Sequence, residues 1–585
     1  MNTGRHHTLS LKLEDVSFSR FGSWLSVSPL IAKFQPYDMD RYYLRCHHHD
    51  TKPVIEITPM DGAEKSDLRP QAFPDRMIWG TAAERYVEMV FDGTDTLRLR
   101  GKGLGVKLTP YLRTEVYSLE TEAGKGRLAT FNILPALRKF QIESLRGLMQ
   151  WQSRREDETG KEFDVELTAV GEDGAEWEIA IDLFTSVREP RDRQAFDAVR
   201  SNTAADFNAF LAGTPPCPDT LQDARTLAAY IGWSATVKPF GLLKRPTMLM
   251  SKNFMCKVWS WDHCFNAMAL APSKPQLAWD QMLVIADLQD EFGCYPDAYN
   301  DTSSVFNYTK PPVHGWTVQE LVTRLDSAAD DPRLQEMFTS LERWTDFWLT
   351  HRRQPSARLA HYMHGYDSGW DNCTMFDETV PIIGPDLNSF LTVQMDCLAE
   401  LASLLGDSAK SRHWQTQADA HFEAIIDELW DGEKFIAKGA VRGETITSDS
   451  LIYCLPILMG QRLPTEIRQK LRDEISRFLT PHGLATEHPE SPKFMDDGYW
   501  RGPIWGPSTY LIFSGLMRSG ETDLAYEIAD RFCNMCNEHD FAENHHALTG
   551  ERLRDRGFTW TASSFLLMAE ALHKRDSATA LQGQG

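Results

Sequence analysis

The sequence predicts a multidomain protein, an N-terminal antiparallel β-sandwich followed by an all-α domain with the length of an (α/α)6 barrel. Three observations predict it. Apolar residues alternate with period two up to about Phe184, and the spacing turns helical from about Thr220. The helical part then holds about ten helices, at roughly 30 residues for each helix and its loop. At 585 residues the chain also exceeds one ordinary core.

Leu9, Leu11 and Leu13, set against Ser10 and Lys12, predict a first strand. Phe163, Val165, Leu167 and Ala169 repeat the pattern, as do Trp177, Ile179, Ile181 and Leu183. Turn signals at Asp92-Gly93, Gly101-Lys102-Gly103 and Glu172-Asp173-Gly174 separate such segments, as a sandwich requires. These place the sandwich at 1–190, and the charged, Pro- and Ala-rich stretch 191–218 reads as a linker. The α-domain is 219–585. Leu334, Met337, Phe338, Leu341, Trp344, Phe347 and Trp348 lie on one helical face. Similar patterns run over 276–288, 387–405, 418–429, 467–478, 509–517, 525–536 and 561–572. A solenoid would need an internal repeat, and none is present.

Composition narrows the function. A net charge of −22 argues against nucleic acid or an anionic membrane as partner, since both call for basic patches. No apolar run of about twenty residues exists, and the amino terminus lacks an apolar signal core. Ten scattered cysteines suit reduced thiols, so a cytoplasmic protein is expected. Cys533-x-x-Cys536 has no second pair and falls in a helical pattern. His47, His48 and His49 read as a solvated loop. No metal or cofactor is therefore predicted. Seventeen tryptophans, many beside Asp, Gly or Arg, exceed what cores need. Aromatic faces with carboxylates and guanidinium groups suit a small carbohydrate substrate.

The chemistry-bearing residues concentrate in loops that interrupt the helices. They are Lys257-Val-Trp-Ser-Trp-Asp-His-Cys-Phe265, Lys310-Pro-Pro-Val-His-Gly-Trp316, Gly365-Tyr-Asp-Ser-Gly-Trp-Asp-Asn372, and Asp497-Gly-Tyr-Trp-Arg-Gly-Pro-Ile-Trp505 coupled to Glu543-Asn-His-His-Ala-Leu-Thr-Gly550. Glycosidic cleavage needs one protonated carboxyl for the leaving oxygen and one ionised carboxylate to activate water or attack the sugar. Asp371 lies between Trp370 and Asn372, where an aromatic wall would desolvate it and raise its pKa. Glu543 precedes Asn544 and two histidines, a polar setting that favours the ionised form. Taken singly, each of these acids reads equally well as a turn, a cap or a surface group. Their joint occurrence on one helical domain carries the reading.

In order along the chain, Trp-Ser-Trp-Asp262, Asp-Ser-Gly-Trp-Asp371-Asn, Tyr-Trp-Arg-Gly-Pro-Ile-Trp505, Glu543-Asn-x-x-x-Leu-Thr-Gly550 and Gly557-Phe-Thr-Trp-Thr-Ala-Ser563 resemble glycoside hydrolase family 63. Trehalases of family 37 are more distantly similar. The motifs span 252–564, essentially the whole α-domain. The resemblance implies an (α/α)6 barrel preceded by a β-sandwich, net inversion, Asp371 as general acid and Glu543 as general base. It further implies that Trp261, Asp262, Trp500 and Arg501 build the first sugar subsite. Trp259, His314, Trp316, Tyr366, Asp367, Trp370, Asn372, Trp505 and Trp560 complete the candidate substrate-binding set.

Two departures bear on the substrate. Asp367 stands where the family usually has Glu, and is expected to bond a sugar hydroxyl from a slightly different place. Cys373-Thr374-Met375 stands where Ser-Pro is common. The expected activity is exo-acting hydrolysis of a small α-glucoside, an oligosaccharide or a glycosyl-glycerate, with an α-mannosidase of the same fold as the alternative. A sugar epimerase on a helical toroid would need a second histidine pair to match His545 and His546. A carbohydrate-binding protein without activity would lack one carboxylate, and a phosphorolytic enzyme would lack the base.

Overall fold

The computed structural model describes residues 9–32, 35–81, 85–112, 114–120, 127–155, 163–171, 174–325 and 331–582. Residues 1–8 and the turn residues Glu172 and Asp173 lie outside that set. The chain divides into two compact units. The first comprises Met1–Ala212, Ala229–Lys238 and Ser251–Cys256; the second comprises Gly213–Ala228, Pro239–Met250 and Lys257–Gly585.

The first unit holds two eight-stranded antiparallel sheets. In one, the strands run in the order Phe18–Ser19, Leu25–Ala32, Gln35–Cys46, Lys52–Asp61, Gly105–Pro110, Phe163–Val170, Leu148–Arg155, with Glu64–Lys65 beside Lys52–Asp61. In the other the order is Thr114–Glu120, Arg127–Ile133, Arg138–Arg146, Trp177–Phe184, Thr96–Lys102, Arg85–Phe91, Arg76–Thr81, Pro70–Phe73. The alternation read from the sequence is the buried row of these strands: Trp177, Ile179, Ile181 and Leu183 are all buried, as are Leu167 and Ala169.

Three expectations are corrected here. Leu11 makes only an isolated bridge to Ala72, and the chain turns at residues 13–15 instead of continuing as a strand. The stretch read as a linker contains the helix α1, Phe196–Ala212, which belongs to the first unit. Its Phe196, Val199, Thr203, Phe207 and Phe210 form the buried face. His47 and His48 are buried: His47 Nε2 lies 2.9 Å from Ser26 Oγ and Nδ1 lies 2.8 Å from Thr51 Oγ1, while His48 stacks on Trp24. Desolvation of His47 holds its pKa well below the usual histidine value, so it is neutral.

Helices continue with α2 (Gln222–Ala235), α3 (Asp262–Leu270), α4 (Pro275–Ala286), α5 (His314–Leu325), α6 (Pro332–His351), α7 (Pro385–Leu404) and α8 (Ser408–Leu429). A 3₁₀ segment, Leu451–Arg462, precedes α9 (Thr465–Arg477), α10 (Gly506–Ser519), α11 (Thr522–His539) and α12 (Thr559–Gln582). In the second unit α3 packs on α5, α5 on α7, α7 on the 3₁₀ segment, that segment on α10, α10 on α12, and α12 returns to α3. The succession closes on itself. Burial follows from it: every residue of α3 is buried, whereas α9, outside the succession, buries only Ile467, Leu471 and Ile475. All ten cysteines are buried, including Cys533 and Cys536 on α11. Among the described residues, no helix is long and apolar enough to cross a membrane.

Candidate active site

Five loops form the site, and each enters a helix of the closed succession at its N-terminus. Residues 257–261 lead into α3, 310–313 into α5, 361–384 into α7, 495–505 into α10 and 542–558 into α12. The first amides of a helix have no carbonyl partner within it, so this end favours negative charge. There Asp262 comes within electrostatic reach of Asp297 and Glu543, Asp371 of Asp297, and Glu543 of Asp555.

Asp371 follows the 3₁₀ turn Gly365–Ser368 and Gly369, whose φ is 74°. A Cβ on Gly369 would stand 2.8 Å from the Trp261 ring, so both the backbone and the close approach demand glycine. Lys310 Nζ is 3.6 Å from Asp371 Oδ1 and 3.1 Å from Asp297 Oδ1, and donates to Tyr366 O at 2.9 Å. Burial raises the Asp371 pKa above the ordinary carboxyl value; Lys310 opposes the rise and Asp297 adds to it. Burial would lower Lys310, but Asp371 and Asp297 hold it above its usual value, and it stays a cation.

Glu543 lies on the strand Ala542–His545, paired with Arg552–Arg556, and is 3% exposed. The polar neighbourhood read from the sequence is in fact a buried strand. Burial, then the charge of Asp555, push the Glu543 pKa up to about 8. Tyr499 Oη donates to Glu543 Oε1 at 3.3 Å and the Asp555 N–H to Oε2 at 3.5 Å, both favouring the ionised form. Tyr499 has a φ of 64°, and burial with the charges of Glu543 and Asp371 raises its phenol well above the usual value. Its hydroxyl therefore remains a donor that feels both carboxyl groups. Asp262, the first residue of α3, is 3% exposed and its Oδ2 has no hydrogen-bond partner among the described residues. A buried carboxyl oxygen left alone is costly, so Asp262 Oδ2 is open to a hydrogen-bond donor.

The predicted aromatic residues meet, but as a wall. Trp261, Trp370, Trp500, Trp505 and Trp560 are all at most 5% exposed. Trp500 stacks on Trp505 at 3.9 Å and on Trp370 at 4.8 Å, so neither face is open to a sugar. Trp560 and Trp505 also brace the site through Nε1, which donates to Glu543 O and to Tyr499 O respectively. Trp259 is half-buried on the strand Val258–Trp259.

Other expected sugar contacts are engaged elsewhere. Asp367 is 1% exposed; it accepts from the N–H groups of Thr309, Met363 and His364 and pairs with Arg352 at 3.3 Å. It rivets two loops and has no free oxygen for a hydroxyl. Asn372 donates to Gly498 O and accepts from the Trp500 N–H, tethering the 495–505 loop. Arg501 is turned to Asn372 O and Asp377. Trp316 is in the helical core, its Nε1 donating to Ser514 Oγ. His314 is fully buried against Tyr295, with Nε2 3.1 Å from Ser260 O, and desolvation holds its pKa down at about 4. Tyr366, in contrast, is 39% exposed.

Lys310, Asp297, Tyr499 and Asp555 were missing from the predicted site. Lys310 and Tyr499 lie inside loops already singled out, so their position was legible. Asp297 and Asp555 stand in Pro-Asp-Ala-Tyr and Arg-Asp-Arg, which carry no mark separating a site from a turn.

A family model described as a mannosylglycerate hydrolase MGH1-like glycoside hydrolase domain matches residues 255–561, just over half of the chain. A mannosylglycerate hydrolase of Rubrobacter radiotolerans is 24% identical over 404 residues, covering 53% of this chain and 89% of that protein. Mannosylglycerate hydrolase MGH1 of Selaginella moellendorffii is 21% identical over 388 residues, covering 53% of this chain and 79% of its own length. The crystal structure of a GH63 mannosylglycerate hydrolase from Thermus thermophilus in complex with glucose matches with a TM-score of 0.51 at 20% identity, over 60% of this chain and 99% of that one. A bacterial glucoamylase complexed with acarbose matches with a TM-score of 0.60 at 11% identity, over 98% of this chain and 96% of that one. At these identities the structural matches show the fold, and the glucoamylase match takes in the antiparallel sheets as well as the helices. The chain is a glycoside hydrolase, and it belongs to the mannosylglycerate hydrolase MGH1-like domain family within glycoside hydrolase family 63.

Proposed function

We propose that this protein is an inverting, exo-acting hydrolase of small α-glucosides, built as an (α/α)6 barrel preceded in the chain by a β-sandwich and working in the cytoplasm. The observation that carries the reading is the pair of desolvated carboxyl groups, Asp371 and Glu543, on separate loops around the Tyr499 hydroxyl. Asp371 gives its proton to the glycosidic oxygen. Glu543 takes a proton from a water, whose oxygen bonds to the anomeric carbon from the opposite face as the aglycone leaves. Asp262 Oδ2 meets a hydroxyl of the sugar held in the first subsite. Tyr499 orients Glu543, and Lys310 fixes the position of Asp371.

One proton must sit on the pair, and it must be on Asp371. Burial raises the pKa of both carboxyl groups, and Glu543 must lose its proton for the water to be activated. The names of the relatives bring α-mannosyl and glycosyl-glycerate substrates into range. Incubation with α-linked disaccharides and glycosyl-glycerates, with free sugar measured, tests the reading. Turnover that disappears in Asp371→Asn and Glu543→Gln supports it; wild-type turnover by Glu543→Gln overturns it.

A further inference from the structure

A cavity on the helical unit takes no part in this mechanism. It lies between the end of α8, the 3₁₀ segment and α9, the helix outside the closed succession. It measures about 110 Å³, room for several waters, and shares no residue with the active site. Three aromatic side chains line it. Trp430 is half-buried and meets Phe435 edge-on at 5.0 Å, while Phe435 and Tyr453 are buried.

The walls are held in place by the protein itself. Ser450 Oγ accepts from the Ile452 N–H at the start of the 3₁₀ segment and lies 3.1 Å from Cys373 Sγ. Ser448 Oγ lies 2.9 Å from Thr374 Oγ1, which is 2.8 Å from Glu487 Oε2. Tyr453 Oη donates to Ile446 O at 3.2 Å. Cys373 and Thr374, which depart from the family pattern, thus brace this cavity. Walls that are already ordered lose little freedom when a ligand binds.

The charges around the cavity balance: Lys434, Lys470 and Arg477 stand with Glu433, Asp449 and Glu474. Lys470 pairs with Glu433 at 3.3 Å and Arg477 with Glu474 at 2.8 Å. Lys434 and Asp449 line the cavity with no side-chain hydrogen bond or ion pair among the described residues. An ion of either sign would meet as much repulsion as attraction from such a rim. An ammonium only donates and a carboxylate only accepts, whereas a sugar hydroxyl does both. The C–H face of a sugar ring also suits the aromatic side chains.

We propose that this cavity is a second carbohydrate site, binding one neutral monosaccharide ring apart from the catalytic carboxyl groups. The proposal does not depend on the roles of Asp371 and Glu543. Trp430→Ala and Asp449→Ala alter the cavity, and Asp262→Asn alters the active site. Calorimetric titration of the intact protein with glucose and with mannose reads binding alone, since neither sugar has a glycosidic bond to cleave. The expected result is millimolar binding that persists in Asp262→Asn and weakens about tenfold or more in each cavity variant. Both cavity variants should keep the Tm of the intact protein and its kcat/KM for an α-linked disaccharide within about twofold. Binding unchanged in both cavity variants, or absent from the intact protein, overturns the proposal. Inorganic phosphate bound more tightly than either sugar, and lost in the same variants, overturns the neutral ligand. Absence of turnover on every disaccharide counts against the catalytic reading and leaves the titration to judge the cavity.

Discussion

Replacing Asp555 with Asn probes how the catalytic pair holds its proton. Burial, followed by the Asp555 charge, carries Glu543 from an ordinary 4.5 to about 8 in the empty site. At about 1.36 kcal/mol for each pH unit, this is on the order of 5 kcal/mol against the ionised form. Near pH 7 about one molecule in ten would carry ionised Glu543. With Glu543 titrating at about 8, kcat/KM should follow a bell with its alkaline limb near pH 8. Asp555→Asn removes a charge that raises Glu543 and keeps the backbone N–H that donates to Oε2. The alkaline limb should move down, and the shared proton should spend more time on Asp371. For each unit by which Glu543 falls, plateau kcat/KM should rise by up to about tenfold. The assay is kcat/KM for an α-linked disaccharide between about pH 4 and about pH 10. An alkaline limb that stays in place or moves up refutes the reasoning.

Asp371→Asn should lower kcat on a disaccharide by about 10³ or more and be partly rescued with α-glucosyl fluoride, whose leaving group needs no proton; equal losses on both would remove Asp371 as the acid. Glu543→Gln should change stability with pH. The unfolded chain ionises Glu543 above about 4.5 and the folded chain only above about 8, so the native protein loses stability as pH rises through that window. The Glu543→Gln variant escapes this loss, and its Tm should match the native protein near pH 4 and exceed it near pH 9; a lower Tm at both would contradict the burial argument. Prolonged dialysis against a chelator should leave most activity in place, and complete loss restored by calcium would reveal a required cation.

Where pattern reports burial directly, the sequence was a good guide. Trp177 to Leu183 alternate because one face of the strand is apolar core while the other carries Glu178, Ala180 and Asp182, and the helix at Pro332–His351 buries the seven apolar residues picked out by their spacing. The helix at Phe196–Ala212 was legible too, since its apolar residues recur at helical spacing, but its charge and Pro neighbours read as linker. The loops of the site were found for a similar reason: Trp, Gly and acids have little cause to interrupt helices. What pattern does not carry is the direction of a polar side chain. Asn544 and His545 made Glu543 look solvated, whereas their strand is buried on both faces. Asp367, Asn372 and Arg501 have the chemistry to bind sugar and spend it on neighbouring backbone and side chains, a choice made by tertiary geometry alone. Lys310 becomes the partner of Asp371 only because two loops far apart in sequence meet.

The claim on which the rest depends is that Asp371 and Glu543 act on opposite faces of the sugar. Proton NMR of the anomeric signals during the first minutes of turnover measures this before mutarotation mixes the products. The account predicts that an α-glycoside releases the β-sugar first, from a single displacement by the water that Glu543 activates. Early α-sugar, the product of a covalent glycosyl intermediate, would contradict it.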